Sequence, residues 1–184
     1  MKKYEFTGET KKVEMLFRIV TLHRIRATVS FGLVEVGELG GWIEKEENLS
    51  HDGKAWVCGD AEVWGNAKVC GDAKVWGNAK VWGNAKVWGN AEVWGNAEVF
   101  SASHVLVIGA IGSRNDFTTF YRDKDNEITV KCGCFLGKID KFLQKVTETH
   151  GDSKYALVYR AAVEVAKLQI DLSGEAPKEE DGAE

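Results

Sequence analysis

The 184-residue chain predicts a mainly β fold: a parallel β-helix of short repeated rungs, with a β cap before it and a small α+β module after it. Three observations carry this. From Gly59 the sequence repeats every six residues, as GDAEVW GNAKVC GDAKVW GNAKVW GNAKVW GNAEVW GNAEVF. Each unit alternates as Ala-x-Val, which puts alanine and valine on one face of a short strand and their neighbours on the other. Each unit then breaks at Gly-Asn or Gly-Asp, residues that accept left-handed backbone angles and turn a corner. Every unit has the same polarity, so the strands stack as successive coils instead of folding back as hairpins. The single proline, Pro177, lies near the C-terminus, so the ladders keep their N–H donors.

The elements follow in chain order. Residues 1–36 read as an N-terminal cap, in which 17–29 alternates as a strand and 4–7 pairs with it. Residues 37–108 read as the β-helix. Valine recurs every six residues from Val57 to Val105 and alanine two places earlier from Ala55 to Ala97. Each buried valine stabilises the fold by about 1.5–3 kcal/mol. Residues 109–171 predict a ββαα module. Its strands are 117–121 and 128–132, joined by a turn at 123–126. Ile139, Phe142, Leu143 and Val146 keep helical spacing, and Gly151 ends that helix. Tyr155, Val158, Tyr159, Ala162, Val165 and Ala166 give the second helix its apolar face. Residues 172–184 form an acidic, small-residue tail of the composition that stays disordered.

The repeat resembles that of the bacterial hexapeptide-repeat family. Residues 31–50, marked by Phe31, Gly40-Gly41-Trp42-Ile43 and Leu49-Ser50, resemble the lead-in of a subgroup from enterobacteria and bacteriophages that is classed as transferases by fold analogy. The resemblance covers roughly residues 15–108. It implies a left-handed β-helix with three hexapeptides per eighteen-residue triangular coil, and so three coils between Ala55 and Leu106. It also implies a homo-oligomer, with a trimer favoured. In the family's enzymes it implies acyl transfer from acyl-CoA bound between subunits, with a histidine base beside the coils. Residues 109–171 resemble a module found on repeat proteins of phages and Firmicutes, which implies a phage or prophage setting. The chain departs from those enzymes in having no loop inserted into the repeats and no histidine within them. His51 precedes the regular units and His104 follows them. His104 stands where other units carry lysine or glutamate, so it is expected to face solvent.

Stacking at eighteen residues gives a surface map. The residue after each valine points outward, in columns Cys58, Trp76, Trp94; Trp64, Trp82, Phe100; and Cys70, Trp88, Leu106. The residue before each valine gives Glu62, Lys80, Glu98; Lys68, Lys86; and Lys74, Glu92. Contiguous exposed aromatic surface marks a contact. Trp76, Trp82, Trp88 and Trp94 are therefore candidate binding residues for a protein partner or a ring-bearing ligand. Their other role is to stack on one another and shield the ladder.

Two further groups carry candidate chemistry. Ser113, Arg114 and Asn115 in a glycine-containing junction, with Thr118 and Thr119, combine a guanidinium fork, hydroxyls and flexible backbone suited to a small anion. Cys132 and Cys134 form a CxC on one strand face, and His150 is a third potential metal donor, although one CxC falls short of a zinc pattern. The formal net charge of −4 gives nothing to draw nucleic acid or an anionic membrane. No stretch is long and apolar enough to span a bilayer, and the first ten residues lack a signal-peptide core. A cytoplasmic protein with free thiols is expected. The function expected is a non-catalytic β-helical scaffold without cofactor. It engages a protein partner or a small anionic ligand through its aromatic faces or its C-terminal module. An acyl-CoA-dependent acyltransferase is the alternative.

Overall fold

A computed structural model describes residues 2–15 and 18–173. Phe17, at the start of the predicted first-cap strand, and residues 174–184 of the predicted tail lie outside the described residues.

The repeats wind into a parallel β-solenoid of about three turns. Its rungs are two-residue strands: β4 (Trp56–Val57), β5 (Glu62–Val63), β6 (Lys68–Val69), β7 (Lys74–Val75), β8 (Lys80–Val81), β9 (Lys86–Val87), β10 (Glu92–Val93) and β11 (Glu98–Val99). They pair in parallel at eighteen-residue spacing, with Val75 between Val57 and Val93, Val81 between Val63 and Val99, and Val69 beside Val87. Three faces result. Valines 57 through 99 and alanines 55 through 97 at the repeat positions are buried in one continuous core. The corners turn on glycines of positive φ, and the tightest approach is at Gly53, where an added Cβ would run into the Gly71 carbonyl oxygen. Gly95 has a similar φ of 68° but nothing within 4 Å of such a Cβ. Gly95→Ala is therefore expected to cost only the left-handed backbone penalty of about 1–2 kcal/mol. Gly53→Ala should cost more than this, because the neighbouring coil must also move. Urea unfolding of the two variants checks the order.

The lead-in supplies an additional, irregular coil. Strand β3 (Leu39–Ile43) pairs in parallel with β5, a 3₁₀ turn spans Glu46–Asn48, and Leu49 bridges Val69. Two residues more than the regular spacing are taken up between Leu49 and β4, at the corner that holds His51 and Gly53. Gly40 and Gly41 have no room for a side chain, since a Cβ at either would meet Ile25 and Trp56, or Ala61 and Val57.

The N-terminal cap is a long antiparallel hairpin of β1 (Tyr4–Glu14) and β2 (Ile19–Ala27), and β2 continues the sheet by pairing with β3. One end of the hairpin seals the core: Tyr4 is buried and its hydroxyl donates to the carbonyls of Glu46 and Leu49. Lys3 is also buried, and its ammonium donates to the Ala55 carbonyl at 2.8 Å. Burial lowers its pKa to about 8, against the opposing pull of Asp52 and Asp72. The other part of the hairpin lies over the first solenoid face, where Val20 and Leu22 pack on Trp64, Trp82 and Phe100.

The C-terminal module holds four strands, β12 (Val105–Ile111), β13 (Asp116–Arg122), β14 (Ile128–Cys132) and β15 (Phe135–Lys138), in an antiparallel sheet. Helices α1 (Ile139–His150) and α2 (Lys154–Gln169) pack on it through Phe120, Val130, Phe142, Val146 and Tyr159. The two strands expected at 117–121 and 128–132 are the inner pair. Val105 and Leu106 leave the repeat to form the edge strand, so Leu106 packs with the helices and does not complete the column of Cys70 and Trp88. In α2 the buried face is Ala156, Tyr159, Ala162, Val163 and Ala166. The predicted face was rotated: Val158 and Val165 are exposed, because both sides of this helix carry apolar residues at helical spacing and only docking chooses between them.

Strand β13 closes the far end of the solenoid. Tyr121 is buried in the solenoid core with its hydroxyl on the Trp94 carbonyl at 3.0 Å, and Asp123 bridges Ala97. No helix among the described residues is long and apolar enough to cross a membrane.

Candidate functional site

The three solenoid faces have different fates, and this decides which outward residues are available. On the first, Trp64 and Trp82 stack at 5.1 Å with 4° between planes, and Phe100 follows at 5.0 Å. The hairpin covers them, leaving Trp82 only 7 % exposed. Trp82 therefore cannot serve as a binding residue as expected; sequence periodicity gives its outward direction but not the hairpin laid across it. On the third face Trp88 is 68 % exposed.

The second face forms the floor of a groove of about 810 Å³. Trp76 and Trp94 stack there at 5.2 Å with 9° between planes, one coil apart. Lys131 from β14 places its ammonium 4.6 Å over the Trp94 ring, so that ring is covered on both sides. Lys74 and Lys131 each lie 3.2 Å from the Glu92 carboxylate, which makes a floor of two cations sharing one anion. At the N-terminal end the wall is the loop of residues 31–38. It is pinned by backbone hydrogen bonds between Phe31 and Val34 and by the Phe31 ring set edge-on to Trp56 at 5.4 Å. At the C-terminal end the wall is the turn between β12 and β13, with Arg114, Asp116 and Phe117. Gly112 (φ 72°) and Asn115 (φ 51°) give that turn its shape. Arg114 lies against Gly133, where an added Cβ would meet its guanidinium carbon at 3.1 Å.

Trp76, Trp94 and Arg114, proposed from sequence as separate features, thus line one groove. The same groove holds Lys74, Glu92, Lys131, Phe31 and Leu33, which were not among the candidate site residues. Lys74 and Glu92 flank the tryptophan column and were readable as groove residues; Lys131 and the loop come in only through docking of the two caps.

Of the other candidates, Thr119 also lines the groove, with its hydroxyl engaged, and the rest are placed elsewhere. Thr118 and Thr119 are buried, at 0 % and 2 % exposure, and are not free hydroxyls for an anion. Thr119 accepts the Glu92 amide at 3.0 Å and ties the module to the solenoid, while Thr118 donates to the Cys132 thiol. Ser113 and Asn115 are exposed on the turn, with Ser113 at 3.5 Å from His150 Nε2. The Tyr159 hydroxyl lies near Cys132 and Ser113, and burial raises its pKa, helped by Cys132. Cys132 ends its strand and Gly133 (φ 56°) turns the chain, so Cys134 leaves the strand face that alternation assigned to both cysteines. Among the described residues no three His, Cys, Asp or Glu side chains gather as a metal site.

The two histidines proposed as acyl-transfer bases both have a ring nitrogen engaged by backbone. His51 Nδ1 accepts from the Lys3 amide at 3.2 Å, with the ring stacked on Tyr4. Burial lowers its pKa, with Glu46 opposing. His104 is 1 % exposed, and does not face solvent as expected. The cause is a 3₁₀ turn, Ala102–His104, opened by the Ser101 side chain accepting from the Ser103 amide; it takes His104 out of the repeat register and under Phe100. His104 Nδ1 accepts the Phe100 amide, and burial, with the Arg122 charge, lowers its pKa to about 4. A neutral imidazole has one lone-pair nitrogen, and in both residues that nitrogen faces a backbone N–H.

No protein-family model matches the chain, and no curated protein matches it.

Proposed function

We propose that this protein is a non-catalytic binding solenoid, akin to hexapeptide-repeat proteins, whose site is the groove between its two caps and whose ligand is a small molecule with a flat ring and an anionic group. The observation that carries the reading is the meeting of Trp76, Trp94 and Arg114 at one groove, from the repeats and from the turn after β12. A concave site with aromatic floor and a few convergent charges is the usual form of a small-ligand site. Arg114 makes no ion pair among the described residues, and Lys74 and Lys131 share a single carboxylate, so the C-terminal end of the floor favours an anion. The engaged lone pairs of His51 and His104 favour binding over acyl transfer from acyl-CoA.

The test is a thermal-shift and calorimetric screen of nucleotides, aryl phosphates and acyl-CoAs. A ligand at about one hundred times its dissociation constant adds about 2.7 kcal/mol of stability. Arg114→Ala and Trp76→Ala are each expected to weaken a hit about tenfold or more, since a charge-assisted contact contributes about 1.5–3 kcal/mol. A hit indifferent to both variants removes the groove as its site. On the third face, Trp88 at 68 % exposure beside the Lys68–Lys86 pair supports a second reading, contact with a protein partner or another copy of the chain. Sedimentation of the wild type against Trp88→Ala tests that reading separately.

A further inference from the structure

We infer that the ligand's ring occupies a vacant rung of the Trp76–Trp94 ladder, stacked on the open face of Trp76 beside Cys58. This rests on the groove reading above and assigns the place and chemistry of the ring. In the regular repeat the residue after each valine stacks on its equivalent one coil away, and β4 pairs with β7 so that Cys58 is the equivalent of Trp76. Trp94 has a partner on each side, Trp76 and the Lys131 ammonium. Trp76 stacks on Trp94, and its equivalent in the preceding coil is the cysteine, whose side chain is too small to cover an indole. On the first face the equivalent of Trp64 in the preceding coil is Glu44, and Val20 and Leu22 of the hairpin bury that column.

Trp76 lines the groove together with the loop of residues 31–38. That loop puts Phe31 and Leu33 in the groove wall, and its Glu38 lies near enough to Cys58 to act on the thiol. Coils repeat at about 4.8 Å, so the rung admits one flat ring and no more. The column it would join is made of indoles, and a bicyclic aromatic ring of purine size matches their area. Trp88 also lacks a stacked neighbour, but its face is open, so it offers a surface and not a slot. An anionic group on such a ring would extend along the floor towards Lys74 and Arg114. The ligand class is a purine-like ring carrying a phosphate.

Calorimetric titration of the full chain with adenosine monophosphate, and with ribose 5-phosphate as the same anion without its ring, tests this. Stacking of one base on an aromatic side chain corresponds to about five- to one-hundred-fold in affinity. The nucleotide is therefore expected to bind at least about fivefold more tightly than the sugar phosphate. Cys58→Trp supplies the missing rung from the protein itself. It is expected to bring the nucleotide down to the level of the sugar phosphate while circular dichroism stays unchanged. Trp76→Ala should do the same by removing the platform, and Trp88→Ala should change nothing. Should Cys58→Trp fail to fold, the smaller Cys58→Phe together with Trp76→Ala carries the comparison. Equal binding of nucleotide and sugar phosphate, or full nucleotide binding by both Cys58→Trp and Trp76→Ala, overturns the vacant rung but leaves an anion-binding groove. Absence of binding by either probe at millimolar concentration overturns both.

Discussion

Replacing Trp82 by alanine is expected to lower the unfolding free energy by about 3–5 kcal/mol, the range for truncating a buried large aromatic. Trp88→Ala, made in an adjacent hexapeptide with the same flanking sequence, should change it by no more than about 0.5 kcal/mol. The two tryptophans differ only in what lies over them. Trp82 sits between Trp64 and Phe100 under Val20 and Leu22, whereas Trp88 is 68 % exposed. Urea unfolding followed by circular dichroism measures both. Equal losses would mean that the hairpin does not cover the first face, and would remove the distinction between faces on which the choice of groove depends.

Acidification should expose the second large effect. His104 is neutral when folded down to about pH 4, because burial and the Arg122 charge oppose its protonation, with Asp171 acting weakly the other way. In the unfolded chain it takes up a proton near the ordinary histidine value of about 6.5. Between those two values the unfolded state binds a proton that the folded state does not, so stability falls as pH falls and levels off below about 4. The shift corresponds to about 3 kcal/mol. His51, whose pKa burial also lowers, adds in the same direction. Asp123 works over a lower window. Burial raises its pKa, but the Lys138 ammonium, the Thr129 hydroxyl and two backbone amides outweigh this, so its contribution is present at neutral pH and lost only as carboxylates protonate. Unfolding at about pH 7 and about pH 4.5, for the wild type and His104→Gln, isolates the histidine. The variant should lose most of the acid sensitivity over that interval, and an unchanged pH dependence would show that His104 is accessible to protons in the folded chain.

How far the sequence could be read follows the range of the interactions. The solenoid was legible because its rungs depend on a local pattern, Ala-x-Val-x-Gly-Asn, repeated so often that every valine faces inside. The eighteen-residue pairing and the tryptophan columns came from the family resemblance, since a period of six does not by itself fix the number of units in a coil. The lead-in before Ala55 was placed within the β-helix, 37–108, but its register was not legible, because Ile43, Leu49 and Val57 are unevenly spaced and their places are set by pairing with Val63, Val69 and Val75. The fate of each face depends on pieces remote in sequence. The hairpin buries Trp82, Lys131 covers Trp94, and neither contact leaves a local mark. His104 was misread for the opposite reason, since its place in the repeat was extrapolated one unit past the point where a 3₁₀ turn ends the register. Arg114 and the two tryptophans were each visible as residues worth testing, but that they line one groove is a property of how the two caps sit on the three-sided coil.

That three-sidedness limits how the gene can change. A gain or loss of whole hexapeptides, six codons at a time, would change the length of the repeat without disturbing the reading frame. One unit gained or lost leaves every valine inside, yet it turns the C-terminal module by one face relative to the N-terminal cap. Arg114 would then stand over the wrong column. Three units restore the alignment and lengthen the groove by one coil, about 4.8 Å. Functional length variants of this gene should therefore differ by multiples of eighteen codons. Those differing by six or twelve should fold while having lost whatever the groove holds.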